Sequence, residues 1–373
     1  MHGISRRPLS DAERLDWLRL IRTENVGPVT FRQLLRRFGT AARAIGALPD
    51  LARRGGLGRS IAIPPRAEAE RELAATAAAG ARLIALAEPD YPPALAALDD
   101  SPPLLVTRGD AALFARRMVG MVGARNASAA GIRIARDLAG ALGNAGIVVV
   151  SGLARGIDAA AHQGALATGT VAVVAGGVDV VFPPEHEALQ AQIAEIGAVV
   201  GEMPIGTRPL ARHFPRRNRL ISGLSLGVVV VEAALKSGSL ITARFALDQG
   251  REVMAVPGSP LDPRARGSND LIRQGATLVE GIDDVLQALG PAQSMLAAEA
   301  VPFGSPVTDE APADADLARL RATITERLSP TPVEVDELIR QSGGTPGEVL
   351  MVLLELELAG RLQRYPGGRV AIS

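Results

Sequence analysis

Three short stretches of the 373-residue chain carry side chains suited to gripping an anion. Residues 208–219, RPLARHFPRRNR, hold five arginines and a histidine with no acid among them. A second stretch, KSGSLIT, puts Lys236 ahead of a Gly-Ser turn. Lys236 is the one lysine among 40 Lys and Arg residues, in a chain whose Ala, Gly and Arg content points to a GC-rich coding bias. Either a compact ammonium is needed in a tight turn too narrow for a planar guanidinium, or the lysine is an accident of codon history. The third stretch, MVGMVGARNASAAG, is a Gly-rich turn feeding a helix, with Arg125 in the turn. Such turns aim backbone N–H groups at anions, although a turn that needs glycine only for packing reads the same way.

Other residues could be read as acid–base machinery. Asp158 and His162 in GIDAAAH lie four apart, on one face of a helix. With Glu202 or Glu232 they would make a small catalytic set, but no serine-histidine-acid arrangement accompanies them. The better reading is that they cap helices or orient arginines. Four histidines, His2 and His213 among them, are too few for a metal cluster, and zero cysteines exclude disulfides, thiolate zinc sites and cysteine nucleophiles. Gly120 and Gly123 lack the full G-x-G-x-x-G spacing. The next strand ends in Ser151-Gly152, where a dinucleotide enzyme places an acid. No cofactor and no metal are therefore expected.

These stretches need a scaffold. Residues 1–80 read as helical, and NVGPVTFRQLL resembles a helix-hairpin-helix of the SAM-like kind, which either offers N–H groups to phosphates or packs on a neighbour. Residues 81–290 form the main domain. It opens with a proline-rich segment holding two short strand-like runs. Then MVGMVG, IVVVS, VAVVA, AVVG, GVVVV, VMAV and ATLV alternate with helical stretches. Continuous apolar runs suit strands covered on both faces, so the expected fold is α/β, a Rossmann-like doubly wound parallel sheet. Residues 291–315 read as a linker. Residues 316–373 have the helix-helix-helix-hairpin outline of a winged helix, whose third helix carries three glutamates and no base, a poor DNA reader. No apolar run is long enough for a bilayer span, and the basic start lacks a following apolar stretch, so the reading is cytoplasmic with no membrane. Net charge is zero, but the acids gather around 299–316 and leave room for one basic face.

The order GARNASAAG, SGLARGIDAAAH, VAGGVDVVFPPEH, GEMPIGTRP, HFPRRNRLISGLS, VVVVEAALKSGSLITARFALDQGREVMAVPG and GSNDLIRQGA resembles the DNA-processing protein A family (DprA, also called Smf). The resemblance covers about residues 88–280. It implies a non-enzymatic protein that binds single-stranded DNA, protects incoming strands and loads the recombinase RecA in natural transformation and recombination. It also implies a homodimer formed through the Rossmann-like domain. Carried over, the strand-binding residues are Arg125, Arg216, Arg217, Asn218, Lys236, Ser237, Gly238 and Ser239, with Gly123, His213, Phe214 and Arg219 as possible additions. FPRRNR precedes an apolar helical run, and KSGSLIT follows the strand GVVVV, at the edge where open α/β sheets take ligands. With seven Phe, two Tyr and one Trp, extended base stacking is not expected; Phe214 belongs either beside a base or in the core. Gly201 and Phe182 depart from the serine and tyrosine that the family often has.

Two other readings stay open. One is a Rossmann-like nucleotide phosphoribohydrolase with Glu202 or Glu232 as base, although GGVDVVFPPE lacks the Gly-Thr and the spacing of those enzymes. The other is a duplex-DNA regulator acting through the winged helix, which its acidic third helix opposes.

Overall fold

The structure, a computed structural model, describes residues 7–290, 314–365 and 367–373. They form two compact units. One joins Leu9–Glu70 to the C-terminal segment; the other begins at Arg71 and contains the central sheet.

In the first unit, α1 (Asp11–Arg22) opens on a capping box in which Ser10 and Glu13 satisfy each other's backbone N–H groups. The helix α2 (Pro28–Phe38) follows Gly27, with proline at the position that needs no N–H donor. Trp17 and Phe31 meet edge to face at 5.0 Å. The third helix, α3 (Ala41–Arg54), is capped by Thr40, and Leu18, Leu34, Leu48 and Leu51 are buried among the three.

Within α4 (Arg66–Ala78) the chain passes to the second unit. Here β1 (Arg82–Ala85) and β2 (Leu104–Gly109) flank the short α5 (Pro93–Ala96). There follow β3 (Met118–Gly123), α6 (Ala129–Asn144), β4 (Val148–Ser151), α7 (Ile157–Ala165), β5 (Thr170–Val173), α8 (Glu187–Ile196) and β6 (Ala198–Gly201). The second half holds α9 (His213–Leu224), β7 (Gly227–Val231), α10 (Gly238–Asp248), β8 (Glu252–Ala255), α11 (Arg266–Arg273), β9 (Thr277–Leu278) and α12 (Ile282–Leu289). The nine strands form one sheet in the order β1-β2-β6-β5-β4-β3-β7-β8-β9. All seven apolar runs are parallel strands of it. Of the two proline-flanked runs ahead of them, β2 pairs antiparallel with β6 and β1 antiparallel with β2, so the sheet is mixed rather than purely parallel.

Alternation along β3 explains the double winding. Val119 and Met121 enter a core with α6, α7 and α12, while Gly120 faces Ile221 of α9 on the other side. From β3 the chain moves through β4 and β5 to β6, then crosses back to place β7 on the opposite flank of β3. This reversal leaves a crevice at the carboxyl ends of β3 and β7. Gly123 closes the two strands there, because a Cβ would lie 1.8 Å from the Val231 carbonyl oxygen.

The C-terminal segment contains α13 (Asp314–Arg327), β10 (Val333–Glu334), α14 (Val335–Ser342), α15 (Pro346–Leu358), β11 (Leu362–Tyr365) and β12 (Arg369–Ile372), a winged helix with the strand order β10-β12-β11. Most of the expected linker, 291–313, lies outside the described residues, as does Pro366 in the terminal turn. The three acids of α15 have internal partners. Glu348 caps its own helix with Thr345, and Glu357 accepts from Arg364 at 2.8 Å. Glu355 is fully buried, paired with Arg321 of α13 and with Arg54 of α3, whose Nε lies 3.0 Å away. The hairpin loop between α1 and α2 docks here too, since Asn25 Nδ2 donates to the Leu358 carbonyl at 3.1 Å. The helix-hairpin-helix thus packs on a neighbour within its own chain.

Removing one partner of a buried ion pair leaves the others uncompensated, typically at a cost of about 3 kcal/mol. Glu355→Ala is expected to destabilise the first unit by an amount of that order, read as a lower urea midpoint. The single tryptophan, Trp17, lies in that unit, so its fluorescence reads the transition directly; an unchanged midpoint contradicts the assignment.

Candidate functional site

A cavity of about 610 Å³ lies at the crevice between the β3 and β7 ends. The β3–α6 turn contributes Gly123, Arg125 and Asn126, and the first turns of α9 contribute Phe214, Arg217 and Asn218. The β7–α10 turn adds Lys236, Ser237, Gly238 and Ser239, and the segment after β8 adds Arg264. A smaller cavity of about 150 Å³ adjoins it at the ends of β4 and β5. Arg125, Phe214 and Arg217 line both, and Phe182 closes the smaller one.

The expected site residues divide according to helical periodicity. FPRRNR does not lead into a helix; it makes the first two turns of α9. Proline is tolerated in a first helical turn, and the 3.6-residue period then sends neighbouring side chains apart. Phe214 and Asn218, four apart, face the cavity with Arg217 beneath them. Arg216 points outward and is exposed. Two of the possible additions do not reach the cavity. His213 is buried, its Nδ1 accepting from Leu210 N–H at 3.3 Å, and burial with Arg212 and Arg216 nearby holds its pKa below the usual histidine value. Arg219 turns toward Glu202, pairing with its carboxylate and donating to the Asp100 carbonyl at 2.7 Å.

Arg217 organises the floor. Its Nη1 donates to the carbonyls of Gly152 and, at 2.7 Å, Val173, joining α9 to the ends of β4 and β5. Burial pushes its pKa down to about 10, opposed by Asp158 and reinforced by Arg125. Gly152 has no room for a side chain, because a Cβ would sit 2.1 Å from Arg217 Nη1. Asp158 accepts from Ala154 N–H at 3.2 Å; burial raises its pKa, and the Arg217 charge pulls it back. His162 shares a 2.9 Å hydrogen bond with Thr170 Oγ1, and burial lowers its pKa to about 3, so it is neutral near pH 7.

Above Arg217 lies an aromatic platform. The Phe214 ring has the Arg217 guanidinium 5.9 Å from its centroid, the Arg125 guanidinium at 5.7 Å and the Phe182 ring at 5.7 Å. Phe182 is 48% exposed. Sequence reasoning noted Phe182 only as a departure from tyrosine and missed it as the partner of Phe214. It also missed Arg264, although a basic residue after the next strand of the same sheet edge was a usable signal.

Two expectations are corrected. The N-terminus of α6 is not an open anion site, because the protein's own Glu232 carboxylate fills it. That carboxylate accepts from Ser128 N–H at 2.9 Å and from the Ser128 hydroxyl, and the hydroxyl oxygen caps Gly131 N–H at 2.9 Å. Glu232 holds this position with φ of 52°, in the left-handed region that disfavours a side chain. Lys236, in turn, is exposed in an open turn, so no narrow pocket selects lysine over arginine. The adjoining helix start is open as well: Ser237 Oγ caps Ser239 N–H at 3.3 Å, and nothing lies within 4 Å of a Cβ built on Gly238. Among the described residues no group of three His, Asp or Glu side chains is placed to hold a metal ion. No helix among them is long and apolar enough to cross a membrane.

The model of the DNA recombination-mediator protein A family matches residues 82–290, the segment that builds this site. The chain belongs to this family. The family's other two modules match as well: a DprA-like N-terminal HHH domain over 11–75 and a DprA winged helix domain over 308–368. Protein Smf of Escherichia coli is 42% identical over 76% of this chain and 75% of its own length. Protein Smf of Synechocystis is 32% identical over 97% and 99%. Among solved structures, DNA processing protein A of Streptococcus pneumoniae superimposes with a TM-score of 0.56 at 39% identity, covering 60% of this chain and 78% of that one. DNA processing protein A of Helicobacter pylori, whose structure reports a single-stranded DNA binding mode, gives 0.51 at 29%, covering 56% and 95%.

Arg217 and Arg216 are neighbours with opposite roles. Arg217→Ala leaves Asp158 buried without its cation and two carbonyls without their donor, so a loss of about 3 kcal/mol in denaturant unfolding is expected. Arg216→Ala, at an exposed position, is expected to stay within about 0.5 kcal/mol of wild type. Equal stability of the two variants contradicts the keystone role.

Proposed function

We propose that the carboxyl edge of the sheet binds single-stranded DNA. The carrying observation is the convergence of Arg125 and Lys236 on one open cavity beside the Phe182–Phe214 pair. Phosphates meet the cations and the open start of α10, and an unstacked base lies on the aromatic platform. Duplex DNA keeps its bases stacked inside and gains little from that platform. Most of the affinity comes from phosphates, with weak sequence preference. The proposed strand contacts are Arg125, Asn218, Lys236, Ser237, Gly238 and Ser239 in the cavity, with Arg216 on its outer rim and Arg217 as the support beneath. The single-stranded DNA binding mode reported for the H. pylori relative supports this reading.

The cellular role we propose follows the family: protection of incoming DNA and delivery to RecA during natural transformation and recombination, by a cytoplasmic homodimer formed through the α/β unit. The role is binding rather than catalysis. Both acids that a nucleotide hydrolase would recruit are engaged, Glu202 with Arg219 and Glu232 with Ser128.

Fluorescence anisotropy with a dT oligomer and a matched duplex at two salt concentrations tests the function. The single strand is expected to bind more tightly, with affinity falling as salt rises. Arg125→Ala and Lys236→Ala should each weaken binding and shallow the log–log salt slope by ~0.7. Lys236→Arg should bind like wild type, because the position is exposed. Equal affinity for duplex, or binding indifferent to salt, overturns the proposal.

A further inference from the structure

Arg264 is the one cation of the cavity that belongs to neither the β3 turn, nor α9, nor the β7 turn. It lies in a short 3-10 turn, Pro263–Ala265, that links β8 to α11. Its own neighbour Asp262 grips it from one side. Arg264 Nε donates to both carboxylate oxygens, at 3.0 and 3.2 Å, and Nη2 donates to one at 2.8 Å. The same carboxylate accepts from Arg264 backbone N–H at 2.9 Å, so it fixes the main chain and the guanidinium together. The side chains remain 44% and 28% exposed. Among the described residues Nη1 has no hydrogen-bond partner.

The turn itself is anchored. Gly258 and Asn269 exchange two hydrogen bonds across its base, at 3.0 and 2.8 Å. Gly267 N–H donates to the Ala233 carbonyl at 2.6 Å. A Cβ on Gly267 would also lie 2.6 Å from that oxygen, so α11 starts in direct contact with the turn that carries Lys236. The backbone of the turn that carries Arg264 is therefore fixed against the backbone of the turn that carries Lys236.

We infer that Arg264 is a further phosphate-binding residue of this cavity, and that Asp262 positions it by holding the guanidinium fork and leaving Nη1 for the ligand. A long, flexible arginine loses rotamer entropy when it orders on a phosphate; one already held by a bidentate carboxylate has lost most of it before the strand arrives. Asp262 thus aids anion binding although it carries the wrong charge for it. The inference rests on the strand-binding reading of the cavity.

The test is dT-oligomer anisotropy on the full chain across a salt series, with Arg264→Ala, Asp262→Asn and Arg264→Lys beside Arg125→Ala and Lys236→Ala. Arg264→Ala is expected to weaken binding roughly ten-fold and to shallow the log–log salt slope by ~0.7. Asp262→Asn should weaken binding several-fold while the slope stays near wild type, although the protein has gained a net positive charge. Arg264→Lys, which keeps the charge but loses the fork, should keep the slope and still lose affinity. If Arg264→Ala leaves affinity and slope unchanged while Arg125→Ala and Lys236→Ala weaken binding, this inference is overturned and the cavity reading stands. Tighter or unchanged binding by Asp262→Asn overturns the positioning role. If none of the three cation variants weakens binding, the cavity reading falls and this one with it.

Discussion

A guanidinium buried where three elements meet constrains everything around it. Arg217 links the Gly152 and Val173 carbonyls at the ends of two parallel strands to the first turns of α9, with Asp158 as its electrostatic counterweight. The carbonyls at a strand's carboxyl end have no ladder partner beyond the sheet, and Arg217 satisfies two of them at once. With that contact made, Phe214 lies above the guanidinium, Gly152 loses room for a side chain, and α9 is oriented so that Asn218 faces the cavity. The exposed cations of the rim depend on this floor, though they share no hydrogen bond with it.

The same edge departs at one helix start from the dinucleotide-binding form of this architecture. In dinucleotide-binding relatives of this architecture the first helix offers its N-terminus to a pyrophosphate. Here the Glu232 carboxylate occupies that position and gives the helix start the negative charge it favours. The open cation surface lies instead along the neighbouring turns, where several phosphates of a chain can be met in succession.

Much of this was legible in the sequence, and the parts that were not have physical causes. Val-rich runs such as GVVVV identified the parallel strands, because only strands buried on both faces tolerate such continuity. The Gly-Ser turn at Lys236 pointed to the sheet edge where the cavity lies. FPRRNR read as the segment ahead of an apolar helical run; the sequence offers no direct sign that Pro215 sits in a first helical turn, where it costs nothing. The split of Arg216, Arg217 and Arg219 among rim, floor and far side depends on that helix. The filling of the α6 start by Glu232 joins residues distant in sequence, as does the Arg54–Glu355–Arg321 cluster that packs the winged helix onto the N-terminal helices. Pattern reading along a chain sees periodicity within an element; it does not see which distant side chain completes it.

The central claim is that the strand lies on the carboxyl edge of the α/β unit, and hydrogen–deuterium exchange on the full chain, free and saturated with a dT oligomer, tests it most directly. The account predicts slowed exchange at residues 122–126, 216–218 and 234–242, with little change in 346–373. Protection confined to 346–373, with none at the sheet edge, would contradict it.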